Sequence, residues 1–193
     1  MASAKSGTGH MVVVASGPDG TYVIDKLPEG THNLNANRMT NFQMVSASRE
    51  ITITAGTRTT ADLDFPVGTA SLQVVVKGEG GKKIDAAQNF LFRGATTASN
   101  AKELTDRFLA GGAAGMVFWF GTPEFPKFEK LVAGNYTVCV LPINGNLADP
   151  QFGRRLQDHL DILKVYCKAV NVTEQPSEQT FTATVPQMTK LPE

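Results

Sequence analysis

The sequence has no surplus of charge of either sign: 18 Lys and Arg stand against 18 Asp and Glu, and the formal net charge is zero. A nucleic-acid binder neutralises phosphates with a basic surplus, and a polybasic membrane-surface binder needs the same, so neither partner is expected. No run of 18 apolar residues occurs, so no membrane insertion by a helical span is expected. Histidine is scarce: His10, His32 and His159 are far apart and share no metal-ligand spacing, and each is expected on the surface. Only two cysteines occur, Cys139 and Cys167, and they form no Cys-x-x-Cys motif. There is no Gly-x-Ser-x-Gly nucleophile elbow. "GEGGKKID" (78–85) resembles a phosphate loop but lacks the Gly-x-x-x-x-Gly-Lys-Ser/Thr spacing, and it reads as a hairpin turn. The carboxylate pairs Glu103 with Asp106 and Asp158 with Asp161 sit three apart, as on solvated helix faces. Asp19 is expected to make an Asx-turn. These absences leave no catalytic constellation, no metal site and no cofactor to expect.

What is present is a packed-core composition, 41% hydrophobic and 19% charged, with strand texture almost throughout. "MVVVAS" (11–16) and "TYVID" (21–25) flank a Gly-Pro-Asp-Gly turn. "REITITAGTRTTADLDF" (49–65) alternates apolar and polar residues around an Ala-Gly turn. Further strands are expected at 70–78, 87–94, 115–121, 134–142, 163–172 and 179–186. Their spacing, with Gly and Pro punctuation between them, suggests an all-β sandwich. Two stretches carry helical spacing instead. Leu104, Phe108 and Leu109 lie in 99–112, behind Asn100 as a possible N-cap; Phe152, Leu156, Leu160 and Leu163 lie in 148–163.

The chain also echoes itself. Shifted by 104 positions, Ile24 falls on Phe128, Lys26 on Lys130, Leu27 on Leu131, Gly30 on Gly134 and Leu34 on Val138. After a length change the echo resumes at a shift of 119, where Arg49 meets Lys168, Ile51 meets Val170 and Ile53 meets Val172. A repeated β unit accounts for this order of matches. In each copy the leucine would plug one end of a sandwich. The glycine three residues later would permit a positive-φ turn into the next strand, where Tyr136, Val138 and Val140 point into a core.

The stretch "DGTYVIDKLPEGTHNLNA" (19–36), with Asp19, Gly20, Tyr22, Leu27, Pro28 and Gly30, resembles carboxypeptidase-regulatory-like repeats. These are similar in fold to collagen-adhesin B-type and prealbumin-like sandwiches. The second copy carries Phe128, Leu131, Gly134 and Tyr136, but has Val132 where Pro is common; the first has His32 where Tyr is usual. The resemblance implies two tandem immunoglobulin-like or prealbumin-like antiparallel units. Residues 12–67 would be a partial repeat and 68–188 a complete one with two short helical insertions. Residues 1–11 read as an expression leader or disordered segment, with His10-Met11 as a cloning junction, and 189–193 as a tail. On that reading the chain is a fragment of a longer protein. Some members of the collagen-adhesin class form a Lys–Asn isopeptide bond; Lys77 stands where such a lysine would, but the last strand has no Asn or Asp, so none is expected.

Set against a full unit, the first copy lacks strands and would expose sheet edge and core face. Either a partner or second copy completes it in trans, or residues 1–66 pack onto the second unit. Cys139 lies between Val138 and Val140 and so faces away from the core; Cys167 is out of phase with Val170 and Val172 and shares that parity. Across neighbouring strands they would form a disulfide gaining about 3–4 kcal/mol in the chain-entropy model. The bridge implies an oxidising compartment: secreted, cell-surface or periplasmic. "VFWF" (117–120) places either Phe118 with Phe120, or Val117 with Trp119, outside the core. Phe118, Trp119 and Phe120 are therefore the candidate binding residues, unless the 99–112 insertion covers them. Two functions stand. One is a non-catalytic extracellular structural, adhesion or protein-interaction module of a larger protein. The other is an accessory module, attached to an enzyme, that binds a ligand such as carbohydrate.

Overall fold

The computed structural model describes residues 2–6, 11–40, 43–65, 67–111, 113–175 and 178–192. Its strands are β1 (Ala2–Ser6), β2 (Met11–Val14), β3 (Gly30–Thr40), β4 (Gln43–Ile53), β5 (Ala70–Gly78), β6 (Ala86–Arg93), β7 (Ala113–Trp119), β8 (Lys127–Leu131), β9 (Gly134–Ile143), β10 (Tyr166–Val172) and β11 (Glu178–Val185). Helices α1 (Ala101–Leu109) and α2 (Pro150–Asp158) interrupt the second half, where helical spacing predicts them. Asn100 caps α1 by accepting from the Glu103 N–H at 2.9 Å, and Glu103 reaches back to the N–H and hydroxyl of Ser99. Asp149 caps α2 in the same manner, through the Gln151 N–H.

The strands form two sheets, ordered β10-β9-β6-β7-β4-β3-β1-β2 and β11-β5-β8. All pairs are antiparallel except β5 with β11. The β10-β9-β6-β7 part of the large sheet faces the small sheet across one core. Leu72, Val74 and Val76 of β5 alternate into it, meeting Leu91, Val117, Phe128, Leu131, Tyr136, Val138, Val140, Val172 and Val185. A second apolar cluster lies on the opposite face of the same strands. There Phe90, Phe92, Met116, Cys139, Leu141 and Ile143 are covered by Leu104 of α1, Phe152 of α2, and Leu163 and Val165. The insertions thus bury what would be the solvent face of β6, β7 and β9. Met188 and Leu191 add to that layer, so the tail packs rather than trails.

The first half follows the order of the second. In β10-β9-β6-β7 and again in β4-β3-β1-β2, a hairpin of long strands is followed by two further antiparallel neighbours. The registers agree as well. Tyr136 faces Val170, Val138 faces Lys168 and Cys139 faces Cys167; His32 faces Ile51, Leu34 faces Arg49 and Asn35 faces Ser48. These are the shifts of 104 and 119 read from the sequence, now as hydrogen-bonded ladders.

Three features depart from the sequence reading. Residues 2–6, small and polar, form β1 between β2 and β3, because β3 offers an unpaired edge whose backbone groups need partners. "TYVID" and 61–65 keep a strand's alternation of half-buried and exposed residues, yet neither is a strand. Among the described residues no backbone hydrogen bond joins them to each other or to a neighbouring strand, so no ladder forms. Third, among the described residues the first half closes no second sheet of its own and instead docks edge-on. Gln43, Met44 and Val45 of β4 pair with Val117, Met116 and Gly115 of β7. The Gln43 side chain accepts from the Glu129 N–H at 3.0 Å, and Asn33 donates to the Ala110 carbonyl at 3.0 Å. No helix among the described residues is long and apolar enough to cross a membrane.

Candidate functional site

The disulfide is the first of four places where reactive, aromatic or polar groups gather. Cys139 and Cys167 are direct cross-strand neighbours, bonded to each other, with Cα atoms 4.0 Å apart. Both lie on the face opposite Val138 and Val140, as their parity predicts. The face is not solvent, however. Cys139 is fully buried beneath the insertions.

The second is the aromatic strip. Trp119 and Val117 face the inter-sheet core; Trp119 stacks on Phe125 at 5.1 Å and donates to the Thr122 carbonyl at 2.9 Å. Phe118 and Phe120 take the other parity and stack on each other at 5.9 Å. They are 38% and 59% exposed, so α1 does not cover them. Of the three candidates, Phe118 and Phe120 stand together at the surface and Trp119 is core.

The third is the pair of end loops. Lys26 and Lys130 have φ of 60° and 57°, the left-handed region that non-glycine residues rarely occupy. Both precede the plug leucine. Gly30 and Gly134 follow at φ 124° and 154°, where a side chain would be strained. The Tyr136 hydroxyl donates to the Val132 carbonyl at 2.7 Å, and the His32 Nε2 lies 2.7 Å from the Pro28 carbonyl. His32 is therefore not at the surface as expected from composition; it is 1% exposed, because it takes the inward position of Tyr136. A carbonyl only accepts, so Nε2 carries the hydrogen, and the buried Nδ1 has no partner among the described residues.

The fourth is a groove of about 1010 Å³ in the first half. One wall is 19–27 with Tyr22, Ile24 and Leu27; the other is 57–62; the floor is Leu34, Ile51 and Ile53. Instead of a backbone ladder, Tyr22 spans the groove and donates to the Ala61 carbonyl at 2.7 Å. Partial burial, with the Asp62 charge adding to it and Arg49 opposing, pushes the Tyr22 phenol above its ordinary value. Asp19 closes one end of the wall by accepting from the Thr21 N–H and hydroxyl, as an Asx-turn does, and these bonds hold its carboxyl below the usual range.

Among the described residues no three His, Cys, Asp or Glu side chains gather as metal ligands do. His10 lies outside the described residues, and the His159 ring sits 2.9 Å from the Arg155 carbonyl at the end of α2. Glu103 serves as a cap and Asp106 pairs with Lys102 at 2.8 Å. Lys77 is exposed, whereas Asn89 is buried in the core. The signal that sequence reasoning underused was the half-strand alternation at 61–65, which marks an inward face of Ala61, Leu63 and Phe65 outside any strand, with the Arg38 guanidinium 4.8 Å from the Phe65 ring centroid. No family model, curated protein or solved structure matches the chain.

Proposed function

We propose that the chain is a non-catalytic structural, adhesion or protein-interaction module of a larger secreted or surface protein, built from two related prealbumin-like units. The shared hairpin register supports the tandem reading, and the disulfide is compatible with an oxidising compartment. One observation carries the interaction role. Among the described residues the first half forms one sheet of the sandwich and no second sheet over it, leaving Ile24, Leu27 and Ile53 only half-buried where Phe128, Leu131 and Val172 of the second half are buried. An apolar face of that kind on an all-β scaffold is a contact surface for protein.

Display of the chain on a non-adherent bacterium tests this. Attachment between cells or to a coated surface, competed by soluble chain, is expected. The second reading, a carbohydrate-binding accessory module, is favoured by the stacked, exposed Phe118 and Phe120. Absence of attachment together with glycan-array binding that is lost in Phe118→Ala and Phe120→Ala would replace the first reading with the second.

A further inference from the structure

We infer that Met39, Met44 and Met116 form a binding site for a soft, singly charged metal ion of the copper(I) class. The three are direct cross-strand neighbours on one face of the large sheet. Met39 faces Met44 across the β3–β4 hairpin, and Met44 faces Met116 where β4 joins β7. The row continues through Phe90 to the bridged Cys139 and Cys167, so every position in it except Phe90 carries sulfur. In the chain the methionines follow no ligand spacing, and Met116 is far from the other two. Only the strand register brings them together.

The row has what such an ion needs. Directly opposed residues of antiparallel strands have Cβ atoms about 4.5–5.5 Å apart. Methionine is unbranched and turns about three side-chain bonds, so the outer two thioethers can close over the central one around a single ion. Burial is graded along the row. Met116 is 9% exposed, Met44 is half-buried and Met39 is 60% exposed, which leaves an entry from solvent at the hairpin end. The Met116 sulfur accepts from the Gln88 Nε2 at 2.8 Å. A thioether has two lone pairs, so this bond steadies the group and leaves the other pair for a metal. The donors are neutral and soft, which suits copper(I); calcium and magnesium take oxygen ligands, which these side chains do not offer. Both cysteines are bonded to each other, so no thiolate competes. Met39 and Met44 belong to the first half and Met116 to the second, so an ion held by all three also clamps the short β4–β7 ladder.

The inference stands apart from the adhesion and carbohydrate readings. The probes are silver(I), which keeps its oxidation state, and copper(I) under anaerobic conditions, each titrated against a chelating dye. One ion per chain is expected. X-ray absorption of the copper-loaded chain should show a first shell of sulfur alone. Amide hydrogen exchange at 43–45 and 115–117 should slow on loading, because bound ion favours the docked halves. Met44→Leu, similar in volume, should leave the urea midpoint of the ion-free chain within its ordinary spread. It should weaken binding by at least about tenfold, the lower bound for loss of an outer-shell partner alone. Binding that persists in the triple variant Met39→Leu, Met44→Leu and Met116→Leu would assign the ion to a histidine or the disulfide and overturn the inference. A first shell of nitrogen or oxygen would do the same, as would affinity no greater than that of free methionine.

Discussion

His32 and Tyr136 occupy the same place in the two halves of the molecule: each holds the carbonyl four residues before it at 2.7 Å, and each follows a leucine reached through a left-handed lysine. Their energetics differ. The Tyr136 hydroxyl is satisfied, whereas the His32 ring buries an Nδ1 that meets no partner among the described residues. Tyr136→Phe is expected to lower stability by about 1 kcal/mol, the net worth of one hydrogen bond. His32→Phe should change it by less than about 0.5 kcal/mol, since the lost bond and the removed unpaired nitrogen offset each other. Urea unfolding of the two variants checks the contrast; equal losses would contradict it.

Asn35 and Ser48 stand opposite each other where the second half has Cys139 and Cys167. The double variant Asn35→Cys with Ser48→Cys should therefore close a second disulfide without rearrangement. Thiol titration under denaturing, unreduced conditions would find no free thiol, and two free thiols would count against register equivalence. The native bridge is expected to contribute about 3–4 kcal/mol by the chain-entropy account, read as the loss on replacing both native cysteines with alanine.

Asn89 is fully buried in β6, and both polar atoms of its amide lack partners among the described residues. It shares the inward parity of Ala87 and Leu91, so an amide sits in an otherwise apolar core. Burying an unpaired amide costs about 1–3 kcal/mol by mutational measures. Asn89→Leu, close in volume, should raise stability by about 1–2 kcal/mol. A fall of that size instead would reveal an internal water bonded to the amide.

Acidification should weaken the fold through Asp85 and Glu103. Lys83 bonds to Asp85 at 2.8 Å, the Gly145 N–H adds to it, and together they hold the carboxyl below its ordinary value against partial burial. The Ser99 N–H and hydroxyl do the same for Glu103. For a lowered folded-state value, the stabilisation is present above about pH 4 and is lost as pH falls through the folded value. Lys83 is raised by the same contact, so its part is lost only as pH climbs through the lysine range. Asp85→Asn should flatten the acid limb of a stability-against-pH curve; an unchanged limb would show that the pair is screened by solvent.

Much of the fold was legible because period-2 alternation and turn punctuation report the faces of strands directly. The internal shifts found from Leu27, Leu131 and the isoleucines reproduce the hairpin registers residue for residue. Parity alone paired the cysteines. Two things were not legible. One is β1: "ASAKS" has neither β-branched nor aromatic residues, and it is a strand only because β3 and β2 leave backbone groups to satisfy on either side. The other is the failure of "TYVID" to become a strand. Its pattern is right, but a strand exists only with a neighbour, and sequence periodicity says nothing of whether the neighbour is there. The burial of His32 was hidden for a related reason. Histidine reads as surface by type, and only its alignment with Tyr136 places it inside.

The eight-stranded sheet is stitched unevenly. Eleven residue pairs join β3 to β4, but three join β4 to β7. Pulled from opposite ends, as a module strung between a cell and its surroundings would be, such a fabric tears first at its narrowest seam. The halves would part there as intact bodies, lengthening the molecule while the bridged hairpin and its helical cover hold.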